Sequence, residues 1–373
     1  MKPNTKKALA IAVQAQLPPV LVGEPGIGKT ATIYELGKHL NAEVVAFYGS
    51  CRTPEDIGGY PLANIAEKTI SLIPAGEWQK RLLELADKAK KKKVAGILFL
   101  DELSCLNGAM QASVMALIHE GRAGDVIFPK SIVRVAAMNP ADQAAGGFDL
   151  AAPLANRMIH IPWTSDVETV IQGFMDDWPS TNIPHLPEGW ENYKRGAAAL
   201  VASFFKRFPQ LVHSFPKEES KRSEPWPSPR TWWEFVVPSL AACEAAKLDD
   251  DVLSILIAGS VGEGAALSFL GWRRDLDLAD PEELLKDPTK FEIYERMDKT
   301  FATLNSVVAA AIGNLTPTRW VNAWKILNAC AKEGHIDLAA SACRSLAKNR
   351  KGNLPNVHEY LKPFQKLLDA AGI

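Results

Sequence analysis

Residues 23–30 read GEPGIGKT, which satisfies G-x-x-x-x-G-K-[ST], with the apolar run PVLV (19–22) before it and the helix-like ATIYELGKHL (31–40) after it. A strand, a glycine-rich loop and a helix in that order form a phosphate cradle. The stretch Gly23, Glu24, Pro25, Gly26, Ile27, Gly28, Lys29, Thr30 and Ala31 is expected to wrap phosphate oxygens, with the backbone N–H groups of its residues other than Pro25 as donors. Lys29 would reach the β and γ phosphates and the Thr30 hydroxyl would ligate magnesium, so ATP and Mg2+ are the expected cofactors.

A phosphate cradle alone does not separate a kinase from a hydrolase. The run GILFLDEL places Asp101 and Glu102 at the end of a short apolar strand. Asp101 can hold magnesium through water, while Glu102, one position on, can polarise an attacking water. The pair therefore points to hydrolysis.

Composition narrows the partners. Forty-two Lys and Arg against 43 Asp and Glu leave a formal charge of -1, so no global field draws in nucleic acid or an anionic membrane. The tract ADKAKKKK (86–93) precedes a buried strand and reads as a solvated helix end. The five cysteines, Cys51, Cys105, Cys243, Cys330 and Cys343, have no C-x-x-C spacing, which argues against a disulfide framework or zinc knuckle and fits a reducing cytoplasm. Cys51, Cys105 and His119 read as structural. The N-terminal apolar stretch is short and lacks a cleavage site, and the later apolar run 254–271 carries Glu263 and four glycines, which makes it a core helix rather than a membrane span.

The strand candidates are PVLV (19–22), EVVAFYG (43–49), GILFL (96–100), IVRVAAM (132–138) and RMIHI (157–161), nearly continuous apolar runs of the kind buried when helices cover both faces of a parallel sheet. Helices are expected over 30–40 and 109–120, the second ended by Gly121. Beyond Pro162 helical patterns dominate, broken by the Pro-rich stretches 178–189 and 215–230, and successive helices are expected from Asp250 onward.

GEPGIGKT, ILFLDE, the strand ending AAMNP and the later LAAPLANRM together resemble an AAA+ ATPase of the MoxR type over roughly residues 5–240. The resemblance implies a P-loop NTPase (AAA+) α/β fold: a parallel-sheet nucleotide-binding domain (1–165), a helical lid (166–270) and an all-helical C-terminal extension (271–373). It makes Asn139 a sensor that orients the attacking water, and Arg157 a finger that neutralises γ-phosphate charge in the neighbouring subunit's site. PSPRTWWEF (227–235) resembles the second-sensor segment, which puts Arg230 near the γ phosphate of its own chain. PEDIGGYP resembles the family's Asp-x-x-Gly segment, and residues 63–73 would form a hairpin lining a central pore, although the long interval from Lys29 to Asp101 prevents residue-by-residue assignment. It further implies a homo-oligomeric ring, expected to be a hexamer, with a chaperone-like remodelling role and often a protein partner containing a von Willebrand factor A domain. The alternatives are a nucleic-acid-directed AAA+ motor and a nucleotide-gated scaffold with slow turnover. A small-molecule kinase has no role for Glu102, Asn139 and Arg157 in that order.

Overall fold

The computed structural model describes residues 3–73, 76–143, 147–176, 183–350 and 352–372, so 178–182 of the first Pro-rich stretch lie outside the described residues. The chain divides into two compact units, Met1–Trp190 with His213–Leu267, and Glu191–Val212 with Ser268–Ile373.

The first unit is built on five parallel strands: β1 (Pro19–Val22), β2 (Glu43–Tyr48), β3 (Gly96–Asp101), β4 (Ile132–Met138) and β5 (Ile159–Pro162), in the order β2-β3-β4-β1-β5. The apolar runs explain the sheet. Ile97, Leu98, Phe99 and Leu100 of β3 are each at most 2% exposed; full burial of such side chains stabilises by roughly 1.5–3 kcal/mol each. The one charged residue within β4, Arg134, donates to the Ile118 carbonyl through Nε and Nη2 and to the Ile132 carbonyl through Nη1. It thereby satisfies a carbonyl in the last turn of the helix Gly108–Glu120, where the Gly121 N–H already bonds the Leu117 carbonyl.

The apolar run 254–271 is two helices rather than one, Asp250–Val261 and Glu263–Arg274, because Gly262 takes φ 81°, a left-handed conformation that ends a helix. The first of these covers the edge strand β5 so closely that a Cβ on Gly259 would come within 2.2 Å of the His160 carbonyl. Helical residues after Pro162 therefore pack in the same unit as the sheet. In the second unit, the helix Lys194–Arg207 joins the C-terminal helices through Phe204, whose ring meets Phe269 at 5.2 Å and Trp272 at 5.4 Å. Among the described residues no strand follows β5, and no helix is long and apolar enough to cross a membrane.

Under the covering helix, His160 is buried with Nε2 3.0 Å from the Ala155 carbonyl, and burial pushes its imidazole down to about 4 from an ordinary 6.5. The unfolded chain thus binds a proton between those values that the folded chain refuses, so stability rises with pH across the window and falls on acidification from pH 6.5 toward 4. The expected loss is about 3 kcal/mol. Denaturant unfolding followed against pH should show this slope in the wild type and a flatter one in His160→Leu; equal slopes would remove His160 as the cause.

Candidate nucleotide site

β1, β4 and β3 are neighbours, and their C-terminal ends carry the phosphate loop, Asn139, and Asp101 with Glu102. The register pairs Val22 with Met138, and the Gly23 N–H donates to the Met138 carbonyl at 3.2 Å. This row of strand tips is where open parallel sheets bind ligands.

The loop is shaped by its glycines. Gly26 and Gly28 take φ 79° and 81°, and a Cβ built on either would meet nothing within 4 Å, so both face open space. Gly23 is confined instead: a Cβ there would lie 2.0 Å from the Trp163 carbonyl. From Gly28 the helix Lys29–His39 begins, turning its free N–H groups toward the loop. Lys29 is buried, and its ammonium donates at 2.7 Å each to the Gly23 carbonyl, the Glu24 carbonyl and Asn139 Oδ1. Burial lowers the Lys29 pKa, opposed by the charge of Asp101. The Thr30 hydroxyl donates to Asp101 Oδ2 at 2.9 Å. A hydroxyl and a carboxylate side by side are hard oxygen donors of the kind that suits Mg2+, and the open cradle beside an ammonium suits a polyphosphate.

Asp101 and Glu102 diverge for a backbone reason. Glu102 adopts φ 58°, a left-handed conformation uncommon outside glycine, while its N–H donates to Asp101 Oδ1 at 2.9 Å. Its exposed carboxylate accepts a short hydrogen bond from the hydroxyl of Ser50, in the turn Gly49–Cys51 after β2. No spacing in the sequence points to Ser50, because the contact depends on β2 lying beside β3.

Arg157 lies elsewhere. Ile159 pairs with Pro19 and Pro162 with Val22, so Arg157 precedes the end of β5 opposite the phosphate loop, separated from it by about 10 Å of strand. Its Nη1 donates to the Pro153 carbonyl at 2.6 Å, and its buried Nε has no partner among the described residues. Burial lowers its pKa, and the nearby charge of Arg230 adds to that while Glu234 and Glu120 oppose it. Asn156 fixes this arrangement: its amide donates to the Trp226 carbonyl at 3.0 Å and its Oδ1 accepts from Ser228 at 2.8 Å, the residue that caps the turn Pro229–Thr231. Arg230 is thus held beside Arg157. His119 lies in the last turn of its helix, 3.9 Å from Glu234, and neither Cys51 nor Cys105 is in a disulfide.

A hairpin is present, with Tyr60–Asn64 antiparallel to Thr69–Ile73, and it begins three residues before the expected 63–73. Every residue of both strands is exposed, including Tyr60, Leu62, Ile70, Leu72 and Ile73. The Leu72 N–H donates to Asp125 Oδ2 at 2.8 Å and the Leu72 carbonyl accepts from the Asp125 N–H at 3.2 Å, which ties the hairpin to the turn after the short strand Arg122–Ala123.

Residues 19–129 match the family described as "ATPase family associated with various cellular activities (AAA)". The chain carries an AAA ATPase domain. Similar proteins include the chaperone protein ClpB of Malacoplasma penetrans, 25% identical over 165 residues that make up 43% of this chain and 22% of that protein. ClpB of Rickettsia typhi is 40% identical over 103 residues, 26% of this chain and 11% of that protein, and ClpB of Corynebacterium diphtheriae 32% over 113 residues, 30% and 12%. The chain therefore spans between 11% and 22% of the length of these curated relatives. The similarity of this domain is to the AAA+ superfamily.

Proposed function

We propose that the chain is a magnesium-dependent ATPase of the MoxR type that works in the cytoplasm as a hexameric ring and couples ATP turnover to remodelling of a protein partner, one containing a von Willebrand factor A domain. Lys29 would bind the β and γ phosphates, Thr30 and Asp101 would hold magnesium, Glu102 would polarise the attacking water and Asn139 would orient it. When bound, the ion supplies charge neutralisation at the phosphates. Releasing Glu102 from Ser50 would free it to act as a base.

The observation that carries the ring reading is the position of Arg157, at the end of the strands away from its own phosphate loop and with a buried Nε–H unpaired among the described residues. A guanidinium so placed suits a neighbour's nucleotide better than its own. Because Arg230 is fixed beside it, we assign both arginines to the same neighbour rather than Arg230 to its own chain. The exposed apolar hairpin is the element best suited to engage the protein partner, in line with the chaperone names of the relatives. The test is sedimentation of Glu102→Gln protein with ATP. An assembly near six subunits is expected, and a monomer at every nucleotide and protein concentration would overturn the ring.

A further inference from the structure

Gln111 bonds the loop that leads to Arg157, and it belongs to none of the motifs described above. It stands near the start of the helix Gly108–Glu120 and is 3% exposed. Its Nε2 donates at 3.0 Å each to the Leu106 carbonyl, just past the turn that follows Glu102, and to the Asp149 carbonyl. Its Oε1 accepts from the Ala151 N–H at 2.7 Å. Both amide hydrogens and one oxygen lone pair are therefore used inside the core. Met110, Val114, Leu150 and Leu154 form part of the surrounding buried cluster, so packing alone would be served by an apolar side chain. The amide adds something packing does not: a buried network with its partners in place rigidifies what it joins, here the register of residues 149–151.

From that clasp the main chain runs to Arg157 through consecutive hydrogen bonds. The Ala151 carbonyl accepts from the Leu154 and Ala155 N–H groups at 2.8 and 3.0 Å, opening the one-turn helix Ala152–Ala155, and the Leu154 carbonyl accepts from the Arg157 N–H at 3.0 Å. The Arg157 guanidinium bonds back onto the same turn at the Pro153 carbonyl. Arg157 is thus fastened to a helix of four residues, too short to hold its place unaided. Gln111 fixes the start of that turn, and Asn156 fixes its end. We propose that Gln111 is a positioning residue for Arg157, setting where the guanidinium stands when a neighbouring subunit presents its nucleotide. The proposal rests on the reading of Arg157 as a group that acts in trans. A misplacement of about 1 Å at a reacting centre can lower turnover about 100-fold.

The test pairs two variants. Gln111→Met keeps the volume and removes all three bonds, whereas Ala151→Pro keeps Gln111 and removes the N–H that its oxygen accepts. The Ala151 φ of -58° already suits proline. Thermal unfolding checks that each variant is folded. Each should bind ATP as the wild type does and turn it over more slowly, by about 100-fold for Gln111→Met. Lys29→Ala subunits keep Gln111 and Arg157, so mixing either variant with them should restore part of the lost activity. Mixing with Arg157→Ala should restore none, because neither partner then offers a well-placed arginine. Wild-type turnover in either folded variant, or recovery in the mixture with Arg157→Ala, would overturn the proposal. So would a mixture with Lys29→Ala that co-purifies and stays inactive, since Gln111 would then serve its own site through the turn after Glu102. Unfolding of both variants would also overturn it, marking Gln111 as a support of the fold. If Arg157→Ala itself gains nothing from Lys29→Ala, the trans reading of Arg157 fails and the role of Gln111 fails with it.

Discussion

Arg157→Ala is expected to lower ATP turnover by about 10³ to 10⁵ while leaving ATP binding intact, the range that arginine fingers contribute in other phosphate-loop enzymes. The physical basis is that binding would be carried by Lys29, Thr30 and the loop, which lie at the far end of the strands from Arg157. Mixing decides whether the arginine acts between subunits. A Lys29→Ala subunit has no working loop but keeps its arginine, whereas an Arg157→Ala subunit keeps its loop and lacks the arginine. Where an intact loop faces an intact arginine, a site is complete, so mixed assemblies should regain part of the activity that each variant lacks alone. A mixture that co-purifies yet stays as inactive as its components would exclude Arg157 as a group acting in trans. Because Asn156 and Ser228 hold Arg230 beside Arg157, Arg230→Ala should behave in the same mixing test as Arg157→Ala does.

Glu102→Gln is expected to retain ATP and lose hydrolysis by about 10² to 10⁴, the usual contribution of a positioned general base. Glutamine keeps the shape, and it can still accept from Ser50, but it cannot take a proton from water. Lys29→Ala should instead lose ATP itself, since its ammonium is held at the loop by three bonds of 2.7 Å, two to the loop carbonyls of Gly23 and Glu24 and one to Asn139. Equilibrium binding and turnover measured on both variants separate the two duties. Equal loss of nucleotide affinity in the two would contradict the assignment of Glu102 to the chemical step.

Much of the sheet and of the candidate site's geometry was legible because their signals are local. Strands β1 and β4 coincide with the apolar runs that mark them, since a parallel strand covered on both faces reads as continuous hydrophobic sequence. The loop and the Asp-Glu pair are likewise contiguous in sequence. What the chain hides is set by adjacency in space. Ser50 reaches Glu102 across 52 positions because β2 pairs with β3, and the Arg157–Arg230 neighbourhood depends on Asn156 bonding a segment 70 residues on. The break at Gly262 depends on a backbone angle that glycine permits without requiring. Residues 191–212 pack with the C-terminal helices because of Phe204, an assignment that helical periodicity cannot make, as it reports which face is buried and not against what.

A two-stranded ribbon with apolar residues in water is an invitation to aggregate edge to edge, and the hairpin of residues 60–73 is protected against it on both sides. Since the Leu72 N–H and carbonyl both turn outward to Asp125, its register partner Pro61 must turn its own nitrogen outward along the opposite edge, and that nitrogen carries no hydrogen. One rim is thus occupied by Asp125 and the other lacks a donor at the matching position. The hairpin is a poor template for growth into a larger sheet, and its dealings with other chains fall to the side chains on its two faces. Exposed apolar side chains and rims guarded at the Pro61–Leu72 pair therefore coexist in one short segment.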